Sequence, residues 1–179
     1  RLQLPWALMT EGAIQVNLQG ERFGNEHEGY SESALFVLAQ PEGIAFNIYD
    51  ERIHEVGLAM PNYLEAVTKG LIKRAATLRD LAETLGVDRN GLEQSVALVN
   101  ALAFEDDMDE FGRSFHASQM ILGPYYGVQV TGSAGTTDPQ ATSLAISANR
   151  IGTNLTGDSA GTVNPIAGVK HVFSTSREG

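Results

Sequence analysis

Residues 11–26 read Glu11-Gly12-Ala13-Ile14-Gln15-Val16-Asn17-Leu18-Gln19-Gly20-Glu21-Arg22-Phe23-Gly24-Asn25-Glu26. Ala13 to Asn17 alternates apolar and polar side chains, the period of a half-buried strand. Leu18-Gln19-Gly20 then supplies a turn, so the pattern predicts a β-hairpin here. Arg22 and Glu26 stand four residues apart around that turn, where a charged pair can brace a loop.

Outward from this segment the chain alternates helix and strand signals. Ser31 to Ala39 has helical composition and is stopped by Gln40-Pro41-Glu42-Gly43. Ile44 to Asp50 has strand length and strand composition. Thr77-Leu78-Arg79-Asp80 has the spacing of a capping box, with Asp in place of the usual Glu. Leu78, Leu81, Ala82 and Leu85 then share one helical face, and Gly86 is placed to end that helix. Asp88 can cap a second helix, whose buried stripe is Leu92, Val96, Val99 and Ala103. After the turn at Gly123-Pro124, Tyr125 to Thr131 reads as a strand, and Thr142 to Ser147 is a shorter β-prone piece. The fold class expected is α+β: a hairpin and a small mixed sheet with packed helices.

Composition narrows the function classes. The 179 residues carry a net charge of -10, and a surface that acidic repels phosphate backbones, so nucleic acid is not an expected partner. The absence of cysteine removes disulfides, thiol nucleophiles and Cys-based metal sites. No apolar run reaches the roughly 20 residues that span a bilayer, so no membrane partner is expected and the location expected is cytoplasmic. The chain opens on Arg1 rather than Met, which suggests a fragment, a processed chain or an excerpt. Residues 132–179 hold 3 basic and 3 acidic side chains, and 20 of the 48 are Gly, Ser or Thr, so the whole charge of -10 sits in residues 1–131. That shift predicts two parts, 1–131 and a Gly/Ser/Thr-rich segment 132–179. His27, His54, His116 and His171 lack metal-ligand spacing, and no metal site is expected from them. Tyr125 and Tyr126 alternate faces on their strand, so at least one is expected in the core and the other is a candidate to face ligand.

Several of these residues form motifs. Residues 11–26 resemble the G-A-I-x-V-N-x-x-G-x-R-F-x-N-E signature that opens the capping, or substrate, domain of a flavoprotein family. That family contains fumarate reductase and succinate dehydrogenase flavoproteins, 3-ketosteroid dehydrogenases and tricarballylate-dehydrogenase-like enzymes. Collinear matches follow. Ile48-Tyr49-Asp50-Glu51 is similar to I-F-D-E, and Ala76 to Ala82 to A-D-T-L-x-E-L-A. Leu92 to Asn100 is similar to L-x-x-T-V-x-x-Y-N, Asp109 to Arg113 to D-x-x-F-G-R, and Pro124 to Val128 to P-Y-Y-A-V. The resemblance covers residues 1 to about 132.

The resemblance implies an oxidoreductase that exchanges hydride between FAD and a substrate carbon next to a carbonyl or carboxyl group. It also implies a small-molecule substrate under the cap and a flavin-binding domain, in cis or as a separate chain. Two departures shape the expectation. The fumarate reductase branch carries an arginine proton donor four residues past its N-E pair, where this chain has Tyr30. Trp6 and Met9 stand where that branch keeps Glu and Arg for proton relay. The residues Glu26-His27-Glu28-Gly29-Tyr30 are instead like the ketosteroid dehydrogenase branch. Tyr30 is therefore the expected catalytic acid or base, and fumarate is not the expected substrate. Arg22, Glu26, Tyr125 and Tyr126 are the expected substrate contacts. The second departure is the lack of any G-x-G-x-x-G turn, so these residues alone are expected to be inactive and not to hold FAD tightly. The competing expectation is a non-catalytic binding module on a cap scaffold.

Overall fold

The computed structural model describes residues 2–135 and 143–149. Its centre is an antiparallel sheet. In chain order the strands are β1 (Leu2–Gln3), β2 (Ile14–Val16), β3 (Ile44–Asp50), β4 (Lys73–Ala75), β5 (Tyr125–Gly135) and β6 (Ser143–Asn149). The strand order is β1-β6-β5-β3-β2, and β4 also pairs with β5. β5 is the axis. Its residues 125–131 pair with β3, while the other edge takes β4 at 125–127 and β6 at 129–135.

Among the described residues six helices cover both faces: α1 (Ala7–Thr10), α2 (Tyr30–Ala39), α3 (Glu51–Leu58), α4 (Pro61–Thr68), α5 (Leu78–Leu85) and α6 (Arg89–Glu105). β3 explains why three layers form. All seven of its residues are buried, so it has two apolar faces to cover. Ala45 and Tyr49 point into a cluster with Leu8, Met9, Ala34, Val37, Ile53, Tyr63 and Ala66 from α1 to α4. Ile44, Phe46 and Ile48 point into a second cluster with Leu81, Leu85, Leu92, Val96 and Val99 from α5 and α6. At Gly127 a side chain would lie 2.6 Å from Leu85 Cδ1, so α5 rests directly on β5. The helix signals are realised as read: Thr77 accepts from the Asp80 N–H, Asp88 from the Gly91 N–H, and Gly86 closes α5 with φ of 76°.

Residues 13–26 correct one expectation. The turn forms, with Asn17 Oδ1 accepting from the N–H groups of Gln19 and Glu21, yet no second strand follows it. β2 pairs with β3 instead, Ile14 opposite Ile48. The turn is occupied in docking on α6. Asp88 N–H donates to Leu18 C=O, and Ser95 Oγ donates to Gly20 C=O at 2.6 Å. A side chain on Gly91 would sit 1.8 Å from Gln19 O, and one on Gly20 would sit 2.3 Å from Leu92 N. The expected mixed sheet is likewise antiparallel at every pairing among the described residues. The pieces not anticipated are α1, α3, α4, β1 and β4. β5 runs through Gly132 to Gly135, and residues 136–142 and 150–179 of the expected second part lie outside the described residues.

Candidate functional site

Residues 21–29 carry no regular structure and are held by charge. Glu26 is 3% exposed, and both of its oxygens are engaged. Oε1 accepts from Arg22 Nε at 2.9 Å and from the Gln15 N–H at 3.0 Å. Oε2 accepts from Arg22 Nη2 at 2.7 Å and from Arg113 Nη1 at 2.8 Å. Arg22 also donates to Asp109 Oδ2 at 2.6 Å, and Arg113 to Ala13 C=O. The rings of Phe111 and Phe115 lie against the Arg22 guanidinium, and Arg113 stacks over Phe115 at 4.5 Å. Two cations thus meet two carboxylates inside the protein, the condition under which buried charge is tolerated.

The electrostatics follow from that balance. Burial alone would raise the Glu26 carboxyl, but the Arg22 hydrogen bond, the Arg113 and Arg22 charges and the Gln15 N–H hold it below its ordinary value. Burial opposes the Arg22 charge too, and Glu26 with Asp109 outweighs it. For Arg113 burial wins, and its pKa is lowered. An arginine stays protonated through such changes.

This network fixes the backbone that leads into α2, where Tyr30 is the first residue. The Tyr30 ring meets Trp6 edge-to-face, centroids 5.5 Å apart, and both rings pack on the first apolar cluster. His27 Nε2 lies 3.0 Å from Met9 C=O, which can only accept, so Nε2 carries the proton and Nδ1 is left as an acceptor. Partial burial and the nearby Arg113 charge pull the His27 pKa down, favouring that neutral tautomer. Trp6 and Tyr30 thus form an aromatic pair at the start of α2, and His27 is anchored to the end of the loop by Met9.

The structure brings Arg22 and Glu26 together, as the spacing predicts, but deep in the loop. Tyr125 and Tyr126 lie elsewhere. Tyr125 packs on the second cluster and Tyr126 on the first, consistent with alternation. Tyr126 stacks between Tyr49 and His54, donates to Glu51 Oε2 and accepts from Arg74 Nε. Arg113, Asp109, His27 and Trp6 were not among the expected site residues. Asp109 and Arg113 were visible only as ends of the Asp109-Glu110-Phe111-Gly112-Arg113 turn, because their partners stand 87 residues away in sequence.

No family model matches the chain. The curated homologues include fumarate reductases and 3-oxosteroid or related dehydrogenases. An NADH:fumarate oxidoreductase from Klebsiella pneumoniae is 31% identical over 120 residues, covering 66% of this chain and 13% of that protein. The chain thus spans a small part of the relatives it matches. The open conformation of a flavocytochrome c3 fumarate reductase superposes with a TM-score of 0.65 at 21% identity, covering 84% of this chain and 24% of that one. The 3-ketosteroid delta1-dehydrogenase from Sterolibacterium denitrificans, in complex with 1,4-androstadiene-3,17-dione, gives 0.53 at 27% identity, covering 79% and 28%. The α+β architecture is that of the matching part of these flavoproteins.

Proposed function

We propose, from a chain whose homologues are flavoprotein fumarate reductases and ketosteroid dehydrogenases, that residues 1–131 are the substrate-capping part of an FAD-dependent oxidoreductase. It acts on a small molecule at a carbon next to a carbonyl or carboxyl group. The observation that carries this reading is Tyr30, held against Trp6 at the end of the charge-braced loop. Tyr30 gives or takes the proton on the substrate carbon, and Trp6 offers an apolar wall where a dicarboxylate needs a cation. Arg22 and Glu26 serve the substrate by positioning that loop; Tyr126 stands in the same apolar cluster as Tyr30, and Tyr125 in the other. Residues 132–179 are the return toward a flavin-binding domain, in cis or in a separate chain. A cytoplasmic location goes with this acidic composition, and no described helix is long and apolar enough to cross a membrane.

FAD itself does not fit the described residues. Its pyrophosphate needs free N–H groups at a helix N-terminus. The starts of α3, α5 and α6 are already capped by Asp50, Thr77 and Asp88, with Glu51 and Asp80 in the first turns of α3 and α5. α2 opens beside Glu32, and α4 opens on Pro61, which has no N–H. No flavin step is assigned to these residues. The test is Tyr30→Phe in the complete flavin-loaded enzyme, with dye-coupled dehydrogenation of a cyclic ketone as readout. We expect a loss of about 10² to 10⁴-fold in kcat with folding unchanged. Fumarate should be a poor substrate for the unaltered enzyme. Full activity in Tyr30→Phe, or brisk fumarate reduction, overturns the assignment.

A further inference from the structure

A cleft of about 570 Å³ runs between α6 and the loop that follows it. Ser95, Leu98 and Leu102 line it from α6 and Met108 and Phe111 from the loop, with Glu21 and Glu110 exposed beside them and Asp109 buried against Arg22. It lies in the α5–α6 layer, across the sheet from the cluster on which Tyr30 and Trp6 pack. We propose that this cleft is a docking groove for a basic amphipathic helix of a partner protein.

Three observations support that occupant. The first is exposed apolar surface in one place. Leu98 is 56% exposed and Met108 55%, and the two line the cleft from opposite sides. Clustering of this kind marks an interaction surface, where scattered apolar residues do not. The second is charge. Among the described residues Arg22 is the one cation lining the cleft, and its guanidinium is committed to Glu26 and Asp109. Glu21 and Glu110 remain, two carboxylates with no cation of the cleft to pair with. A partner with Lys or Arg flanking an apolar stripe complements that pattern. A second copy of this chain, itself at -10, would meet like charge. The third is preorganisation. Asp109 Oδ1 accepts from the N–H groups of Phe111 and Arg113, and Met108 bridges Ser114, so the far wall is set before anything binds. An apolar channel beside a helix, with anchors one turn apart at Leu98 and Leu102, suits a helix in a groove.

The experiment titrates the 179-residue chain into a fluorescein-labelled amphipathic Leu/Lys peptide of about five helical turns and follows anisotropy. A Leu/Glu peptide of the same pattern is the control. We expect saturable binding of the Lys peptide, weakened about tenfold by Leu98→Ala with Met108→Ala. Glu110→Lys should weaken it more than Glu55→Lys, a charge-matched change on α3 in the opposite layer. All four residues are exposed or partly exposed, and circular dichroism of each variant checks the fold. Equal losses from Glu110→Lys and Glu55→Lys would mean unspecific attraction to an acidic protein and overturn the proposal. So would unchanged binding in the Leu98/Met108 variant, or no binding of the Lys peptide. Dimerisation of the chain that Met108→Asp abolishes would assign the groove to a second copy and equally overturn it.

Discussion

Glu26 is the residue on which the loop 21–29 depends. It neutralises two buried guanidiniums at once, so its loss leaves both under-compensated. Glu26→Gln should destabilise the chain by about 3–5 kcal/mol, the cost of breaking a buried ion pair from one side. Urea denaturation reads this directly, and a loss below about 1 kcal/mol would show that the network relaxes. The same residue sets a pH limb. Its folded pKa lies below its ordinary 4.5, so its contribution is present above 4.5 and fades as pH falls through the folded value. His27 behaves with the same sign below its ordinary 6.5, because burial and Arg113 depress it. Glu26→Gln should therefore remove the acid limb below 4.5 and leave the His27 limb in place. Stability measured from pH 8 to pH 3 in both proteins distinguishes the two limbs.

Among elements, the contact between the turn at Gly20 and the start of α6 places the loop against the helical layer. Gly91 is not there for flexibility. Any side chain would drive into the Gln19 carbonyl. Gly91→Ala, ordinarily a helix-favouring change, should instead cost about 1–3 kcal/mol and lower the melting temperature. A stabilised variant would mean that the turn can lift off α6. The α3–α4 pair is tied differently. Tyr63 OH lies 2.8 Å from Tyr49 OH and 2.7 Å from His54 Nδ1, beneath a cluster that is otherwise apolar. Tyr63→Phe keeps the ring and strands both partners, so a loss of about 1–3 kcal/mol is expected in thermal unfolding. Tyr63→Leu should cost more, since the ring contacts to Tyr49 and His54 go as well.

At the scale of the molecule, one sheet buried on both faces organises the two cores. β3 has no solvent-facing residue and β5 is paired along both edges, so their amides should exchange last. β4 is short and partly exposed, and its amides should exchange much earlier. Hydrogen exchange showing β4 as protected as β3 would contradict this order. The helix starts predict a ligand result as well. With carboxylates at four of them, FAD added to the chain should bind no tighter than about 0.1 mM, the level a few ring contacts support. Flavin fluorescence titration checks it, and micromolar affinity would reveal a phosphate site outside the described residues.

Local chemistry was readable without coordinates. Thr77, Asp88 and Gly86 cap their helices by bonds to residues within four positions, β3 has strand length and a mostly apolar composition, and α6 shows its stripe at helical spacing. Signals of that range survive in a linear string. The partner of β2, the place of Asp109 and Arg113 beside Glu26, and the acidic cleft along α6 did not show. Each joins residues tens of positions apart, and nothing in either segment alone names the other. The turn at Gly20 shows the physical reason: its sequence suits a hairpin, and the bonds to Asp88 and Ser95 of the α6 region decide against one.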